Sequence, residues 1–342
     1  MKKTTKSGLI VLILMLVGMG LYTAYTIFRM NGGHLFRSVT STETYRVAED
    51  SDTYDSITAK EYKKNFIAAL YIEGTISEAN QSYNQKWLMS TIRALKNNDK
   101  NVAIAVFINS PGGTVYHADE VYLALEDYKT TGRPVYVYQG SMAASGGYYI
   151  SCAGNKIYAN RNTLTGCIGV IMGSSYDLTG LFDNLGIKVT TIHSGANKNM
   201  MNYDEPLTEE QAEIMQSISD ECYDQFVSIV AKSRSIQYYT CCDLSDGRLY
   251  TAKQALDLRL IDAIDSWENM LRDLAENELK MPGIKVATYK YERKQSVYDL
   301  ITGKALELEN AKAAAQLGLP VEVIKSMNSE DRLTPMYLAP GY

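Results

Sequence analysis

Gly140-Ser-Met-Ala-Ala-Ser-Gly-Gly-Tyr-Tyr149 is the most informative stretch of this 342-residue sequence. It follows a β-branched and aromatic run from Pro134 to Gln139, which predicts a strand. The small residues in its middle are typical of a strand that turns sharply into a buried helix. A serine at such a helix N-terminus lies where free N–H groups favour negative charge, as an oxyanion requires. Ser145 is therefore a candidate nucleophile, although a plain helix cap is the more frequent role of an isolated Ser-Gly-Gly.

The chain around this stretch alternates between predicted strands and helices. Phe66 to Ile72 and Val102 to Ile108 are continuous apolar runs, the pattern of strands that are buried on both faces of a parallel sheet. Between them, Gln85 to Asn97 has apolar residues at helical spacing. A capping-box pattern at Thr208–Gln211 predicts the start of a long helix that ends near Lys232. The order predicts an α/β domain.

A second glycine-containing loop follows the strand from Val102 to Ile108. It reads Asn109-Ser-Pro-Gly-Gly113 and leads into a helix with an apolar stripe. Two glycines at this point allow backbone N–H groups to approach a ligand, as in an oxyanion hole or a phosphate cradle. The sequence has neither a Walker pattern nor GxGxxG, so Gly112 and Gly113 are oxyanion candidates, with an ordinary tight turn as the alternative.

A serine nucleophile needs a base that accepts its proton. The chain has three histidines, at positions 34, 117 and 193. His117 lies in the first turn of the helix after Gly113, so the spacing permits a triad of Ser145, His117 and Asp119.

Lys198 is the other candidate base. It lies in the loop Ser194-Gly-Ala-Asn-Lys-Asn199, directly after a predicted strand from Ile187 to Ile192. Burial can lower the pKa of a lysine by several units and so provide a neutral amine. Most lysines, however, are solvated surface residues.

Composition excludes several classes of protein. The chain is 46% hydrophobic and 21% charged, with a net charge of −5, which is typical of a globular protein and argues against nucleic acid as a partner. Its five cysteines have neither CxxC nor metal-ligand spacing, so the sequence predicts no disulfide framework and no metal site.

The N-terminal region has the pattern of a membrane anchor. Residues 1–6 are basic, and residues 7–28 carry no charge and are long enough to cross a bilayer as a helix. The positive flank predicts a cytoplasmic N-terminus and a location of the remaining chain on the outer face. A cleaved signal peptide is the alternative, but no convincing small-x-small cleavage site follows. Residues 29–64 are polar and predict a tether.

Four motifs, in their order along the chain, closely resemble those of the signal peptide peptidase (SppA, protease IV) family. The motifs are Asn109 to Gly113, Gly140 to Tyr149, Leu164 to Ile171 and Ser194 to Lys198. The resemblance extends from about Phe66 to Asp265 and includes Asp246 to Tyr250 and Ala255 to Asp262, which look like the closing motif of the family. Arg259 departs from the pattern, because the family usually has glycine there.

This resemblance implies a ClpP/crotonase-like fold of stacked ββα units in residues 65–265 and a serine endopeptidase with a Ser-Lys dyad. Carried over by motif, Ser145 is the nucleophile and Lys198 the general base, and the amides of Gly113 and Gly146 are the oxyanion donors. No cofactor is implied. Members of the family are anchored in bacterial membranes and degrade signal peptide remnants. Because the motifs occur once in this chain, a homo-oligomer with several active sites is expected.

Residues 266–342 lie beyond the resemblance and are expected to serve assembly or regulation. Their apolar end, Met336 to Tyr342, is predicted to lie extended in a substrate-like groove of its own or a neighbouring subunit, with packing at an interface as the alternative. Two other functions are compatible with the sequence: a crotonase-type acyl-CoA enzyme, and a non-catalytic membrane scaffold of the same fold.

Overall fold

The computed structural model of the protein describes residues 64–291 and 335–339, together with positions 310 and 321. The predicted membrane helix at residues 7–28 and nearly all of the predicted tether lie outside the described residues. No helix within the described ranges is long and apolar enough to cross a membrane.

The described chain is a mixed α/β structure around one mainly parallel sheet. Its strands are β1 (Phe66–Glu73), β2 (Asn101–Ser110), β3 (Gly112–Thr114), β4 (Val135–Ala144), β5 (Lys156–Ala159), β6 (Leu164–Gly166), β7 (Leu249–Thr251), β8 (Ala263–Ile264), β9 (Lys285–Tyr289) and β10 (Met336–Leu338). The sheet has the order β7-β6-β4-β2-β1-β9, with β5 paired to β4 and β8 paired to β5. Strands β10 and β3 form a separate antiparallel pair.

Helices cover both faces of this sheet. They are α1 (Gln85–Lys96), α2 (Val115–Lys129), α3 (Gly146–Ser151), α4 (Thr179–Leu185), α5 (Glu209–Arg234), α6 (Tyr238–Asp243), α7 (Ala252–Asp257) and α8 (Trp267–Arg272), which continues as a π-helical turn (Asp273–Glu278). Successive side chains of β1 point to opposite faces: Leu70 packs with α1, α2, α3 and α5, whereas Ala69 packs with α8 and the π-helical turn.

The apolar runs form the central strands, as predicted. In β1, β2 and β4 the residues Leu70, Val106 and Val137 lie side by side in parallel register, and none is exposed. Strand β9, from the region predicted to be a C-terminal extension, pairs in parallel with β1 and adds an edge to the sheet. Part of that region is therefore built into the same sheet as β1, β2 and β4.

Helix α5 begins as the sequence predicts. Thr208 accepts a hydrogen bond from the backbone of Gln211, and the Gln211 side chain accepts one from the backbone of Thr208, so both halves of the capping box are present. The helix extends to Arg234, and its buried Phe226 lies against Tyr149 of α3. Helix α5 thus forms one wall beside the N-terminus of α3.

One predicted strand is wrong. Residues 187–192 form no strand, and their apolar side chains are exposed, to 95% in Ile192. An alternating pattern predicts an extended backbone, but a strand also needs a neighbour with which to pair.

Arg259, at a position where the family that the sequence resembles usually has glycine, has a positive φ of 59°. This left-handed conformation is strained for arginine and free for glycine. We expect Arg259→Gly to raise the free energy of unfolding by about 0.5–1 kcal/mol, measured by urea unfolding. Arg259→Ala is the control, because it removes the side chain but keeps the strain. An equal gain in both variants would show that the backbone conformation is not the cause.

Candidate active site

Ser145 lies at the junction of β4 and α3, where the sequence predicts a sharp turn. Its backbone has φ 52° and ψ −115°, a conformation that is strained for a residue with a side chain. The Ser145 N–H donates to the carbonyl of Gly166 at 2.7 Å, which links the turn to β6. This turn fixes the position of the hydroxyl at the N-terminus of α3.

The Ser145 hydroxyl is buried and has no hydrogen-bond partner among the described residues. The side chain is not acting as a helix cap, because it makes no hydrogen bond to α3. An unpaired buried hydroxyl costs about 1–3 kcal/mol, so such groups are rare unless they have a task. The plain-cap alternative for Ser145 is therefore wrong.

Gly113 and Gly146 lie next to each other, so the two predicted oxyanion donors are brought together. A Cβ atom added to Gly146 would lie 3.2 Å from the Gly113 nitrogen. A Cβ atom on Gly113 would lie 1.8 Å from the carbonyl oxygen of Ile76, and one on Gly112 would lie 2.8 Å from the Gly146 nitrogen. Only glycine fits at either position of the Gly112–Gly113 pair.

The C-terminal strand β10 is docked against this pair of glycines. Val115 N–H donates to Pro335 O at 3.0 Å, and Ala339 N–H donates to Pro111 O at 2.8 Å. In an antiparallel ladder, hydrogen-bonded residue pairs alternate with pairs that are not hydrogen-bonded. The next hydrogen-bonded pair between Val115–Pro335 and Pro111–Ala339 is therefore Gly113–Tyr337, and the Gly113 N–H is directed at the Tyr337 carbonyl. The same carbonyl oxygen lies 3.2 Å from the position of a Cβ on Gly146.

The opposite edge of β10 is also bonded. Met336 N–H donates to Ile171 O at 2.9 Å, and Ile171 N–H donates to Met336 O at 3.0 Å. The tail therefore lies extended between two backbone segments, which is how an extended peptide is held by strand addition. The prediction that Met336 to Tyr342 docks in a groove is confirmed for Met336–Leu338, and the groove belongs to the same chain.

The Tyr337 side chain fills an aromatic pocket. Its ring stacks on Tyr149 with centroids 4.9 Å apart and packs against Phe226 at 4.6 Å. The hydroxyl donates to the carbonyl of Cys222 at 2.8 Å, and burial raises the pKa of Tyr337. The pocket thus combines apolar walls with one acceptor at its end.

Tyr149 is itself held by two polar side chains. Its hydroxyl donates to an Asp119 carboxylate oxygen at 2.6 Å and accepts from the Gln225 amide at 2.7 Å. Burial raises the pKa of Tyr149, and its hydrogen bond to Asp119 acts in the same direction. Asp119 therefore orients a wall of the aromatic pocket.

The triad alternative is not supported by the structure. His117 Nδ1 lies 2.5 Å from the Thr114 hydroxyl, and Asp119 bonds to Tyr149. The Ser145 hydroxyl bonds to neither.

The structure does not bring Lys198 to Ser145. The Lys198 side chain is exposed and makes no hydrogen bond or ion pair within the described part of the chain. The Ser145 hydroxyl, in turn, has no hydrogen-bond partner there. It lies in a turn that begins directly after the exposed residues 187–192. The base of the predicted dyad thus lies on a segment whose side chains are largely uncovered by the described residues.

Sequence reasoning missed Tyr149 and Phe226 as pocket residues. Tyr149 lies in the stretch that predicts a buried helix, and Phe226 lies in the helix predicted to begin after Thr208. No pattern in the sequence indicates that they face the C-terminal tail.

Comparison with known proteins identifies the class of this site. The model of peptidase family S49 matches residues 127–281, which include Ser145, Gly146 and Lys198. This match supports a serine peptidase.

Three relatives narrow the assignment. A protein of Enterococcus faecium named as a signal peptide peptidase SppA is 31% identical over 282 residues, which cover 80% of this chain and 81% of that protein. A chloroplast serine protease SPPA of Arabidopsis thaliana is 30% identical, with coverage of 64% and 32%. Protease 4 of Haemophilus influenzae is also 30% identical, with coverage of 59% and 33%. The chain belongs to the SppA (protease 4) family of S49 serine peptidases.

Proposed function

We propose that this chain is a membrane-anchored serine endopeptidase that degrades signal peptide remnants and other apolar peptides. The observation that carries the proposal is the docking of β10 as an extended strand, with the Tyr337 carbonyl directed at Gly113 and next to Gly146. A substrate held in the same way would present its carbonyl carbon beside the Ser145 hydroxyl. We also infer that the fold is of the ClpP/crotonase type.

The proposed reaction proceeds through an acyl-enzyme. Neutral Lys198 takes the proton of the Ser145 hydroxyl. At the same time, the Ser145 oxygen forms a bond to the substrate carbonyl carbon. The oxyanion that results accepts hydrogen bonds from the amides of Gly113 and Gly146. The C–N bond then breaks, and the leaving amine takes the proton from Lys198. Water, deprotonated by the same lysine, hydrolyses the ester and releases Ser145 with its proton restored.

The position of Lys198 supports a homo-oligomer. Its segment exposes Leu185, Ile187, Val189 and Ile192, an apolar surface of the kind that a partner covers. We infer that assembly brings Lys198 of one copy to Ser145 of another copy. Such contact would also remove water from the amine, the condition under which a lysine can act as a base.

Membrane anchoring rests on the sequence of residues 1–28. The basic residues 1–6 and the uncharged residues 7–28 support a single-pass helix with a cytoplasmic N-terminus and a catalytic domain outside the bacterial cell membrane. Apolar remnants of signal peptides are released at that membrane, which supports them as substrates.

Hydrolysis of a quenched fluorogenic peptide that contains Met-Tyr-Leu-Ala, the sequence of the docked tail, tests the proposal. The full-length protein should cut this peptide between Tyr and Leu, and mass spectrometry of the products identifies the bond. Failure to cut this peptide and related apolar peptides would contradict a peptidase function.

Docking of the tail is expected to inhibit the enzyme for as long as the Tyr337–Leu338 bond of the tail is intact. Tyr337→Ala removes the ring that fills the aromatic pocket, so we expect the turnover of a subsaturating peptide to rise by about tenfold. Tyr239→Ala is the matched control, because that tyrosine is largely exposed. Deletion of residues 333–342 should reproduce the rise, and unchanged turnover in both tail variants would show that the tail does not compete with substrate.

A further inference from the structure

A cavity of about 480 Å³ lies beside the docked tail. It is bounded by the segment after β6, by one face of α5 and by the turn before β7. Its lining includes Val170, Ile171, Asp220, Tyr223, Asp246 and Leu338. Leu338 reaches the cavity wall and leaves this volume unfilled.

The register of β10 fixes the place of this cavity in the site. Tyr337 has its carbonyl directed at Gly113, so in a substrate it corresponds to the residue before the bond to be cut, and Leu338 to the residue after it. Successive side chains of an extended strand point to opposite sides, so Leu338 does not share the pocket of Tyr337. Ala339, the next residue, packs with Ala144 and Cys167 and has little space.

The walls and the rim of the cavity differ in chemistry. Val170, Ile171 and Tyr223 provide apolar surface, whereas Asp220 and Asp246 are exposed at its edge. Among the described residues that line it there is no lysine, arginine or histidine. A long side chain with a terminal cation fits such a surface, because its methylene groups cover the apolar wall and its charge reaches the carboxylates.

The two carboxylates are not equally available. Asp246 is bonded to the neighbouring Arg248, which lowers the pKa of Asp246 to about 2 and already neutralises its charge. Among the described residues, Asp220 accepts a hydrogen bond only from the uncharged amide of Gln216, at 2.7 Å, so none of them balances its negative charge. Asp220 is therefore the carboxylate that can pair with a cation.

We propose that this cavity binds the side chain of the substrate residue directly after the cleaved bond, and that it selects a long basic side chain through Asp220. The inference rests on the proposed peptidase function and adds a preference that neither the tail nor the aromatic pocket supplies. Lysine or arginine at this position of a substrate should thus be favoured over the leucine of the tail.

Three peptides that share Met-Tyr-X-Ala and differ only in X test the proposal. We expect kcat/KM to rise by about tenfold from alanine to norleucine, because the cavity buries the added methylene groups. We expect a further rise of about threefold from norleucine to lysine, which has a similar length but carries a charge. Asp220→Asn should reduce the lysine-to-norleucine ratio to about one. Glu221→Gln, the next carboxylate along α5 and outside the cavity wall, should leave that ratio unchanged.

Binding of the same peptides to the Ser145→Ala variant, measured by fluorescence polarisation, separates this proposal from the peptidase function. If affinity rises from the alanine to the norleucine to the lysine peptide but the wild type hydrolyses none of them, the subsite would be supported and the peptidase function contradicted. Equal affinities and rates for alanine and norleucine would overturn the subsite. Equal affinities and rates for the norleucine and lysine peptides would overturn the role of Asp220. A lysine preference that survives in Asp220→Asn would do the same.

Discussion

Replacement of Ser145 by alanine is expected to lower turnover of the Met-Tyr-Leu-Ala peptide by about 10⁴-fold or more. Without the hydroxyl no acyl-enzyme forms, and the amides of Gly113 and Gly146 would stabilise only an oxyanion generated by water. The hydroxyl makes no hydrogen bond in the structure, so its removal breaks no contact that holds the fold. Initial rates over a wide range of enzyme concentration measure the loss.

Ser141→Ala is the matched control for this variant. Ser141 lies in the same stretch of sequence, is exposed and donates to the Asn109 side chain at 2.7 Å. We expect the turnover of the Ser141→Ala variant to stay within about twofold of wild type, since surface substitutions usually have small effects. Ser145→Ala with near wild-type turnover would remove Ser145 from the mechanism.

Lys198→Ala is expected to cause a loss of similar size, because Ser145 would lose the group that accepts its proton. Mixing this variant with Ser145→Ala protein gives a sharper result. If one copy supplies Lys198 to another, co-expression of the two inactive chains should restore roughly a quarter of wild-type turnover, since that fraction of sites combines both intact residues. If both residues act within one chain, the mixture stays inactive.

Two controls accompany the lysine variant. Lys188→Ala removes an exposed lysine from the same segment and should retain turnover. His117→Ala should also retain most of its turnover, because His117 bonds to Thr114 and not to Ser145. A loss in His117→Ala together with an active Lys198→Ala would show that the base is misassigned.

The parts of the fold that the sequence predicts well are those set by local pattern. Continuous apolar runs predict β1 and β2, and the spacing of Thr208 and Gln211 predicts the start of α5, because burial and capping depend on nearby residues. The pairing of β9 with β1 could not be predicted, since the order of strands in a sheet depends on contacts between distant segments. For the same reason, residues 187–192 have a strand pattern without a strand partner.

The sequence likewise predicts one part of the candidate site and not the other. The turn at Ser145 and the glycines at 112 and 113 follow from local requirements for small residues, and the structure brings Ser145, Gly113 and Gly146 together. Their catalytic roles stay predictions, as does that of Lys198, which makes no side-chain hydrogen bond or ion pair with the described residues. The aromatic pocket arises from side chains on two helices and a tail that are far apart in sequence.

The docked tail has a consequence for where the enzyme can work. A segment tethered to its own groove competes at an effective concentration on the order of millimolar, whereas a free peptide in dilute solution must compete at its bulk concentration. A peptide therefore displaces β10 only where it accumulates or binds better than Met-Tyr-Leu. Peptides concentrated on a surface beside the enzyme would meet the first condition, and stray peptides in the surrounding solution would not.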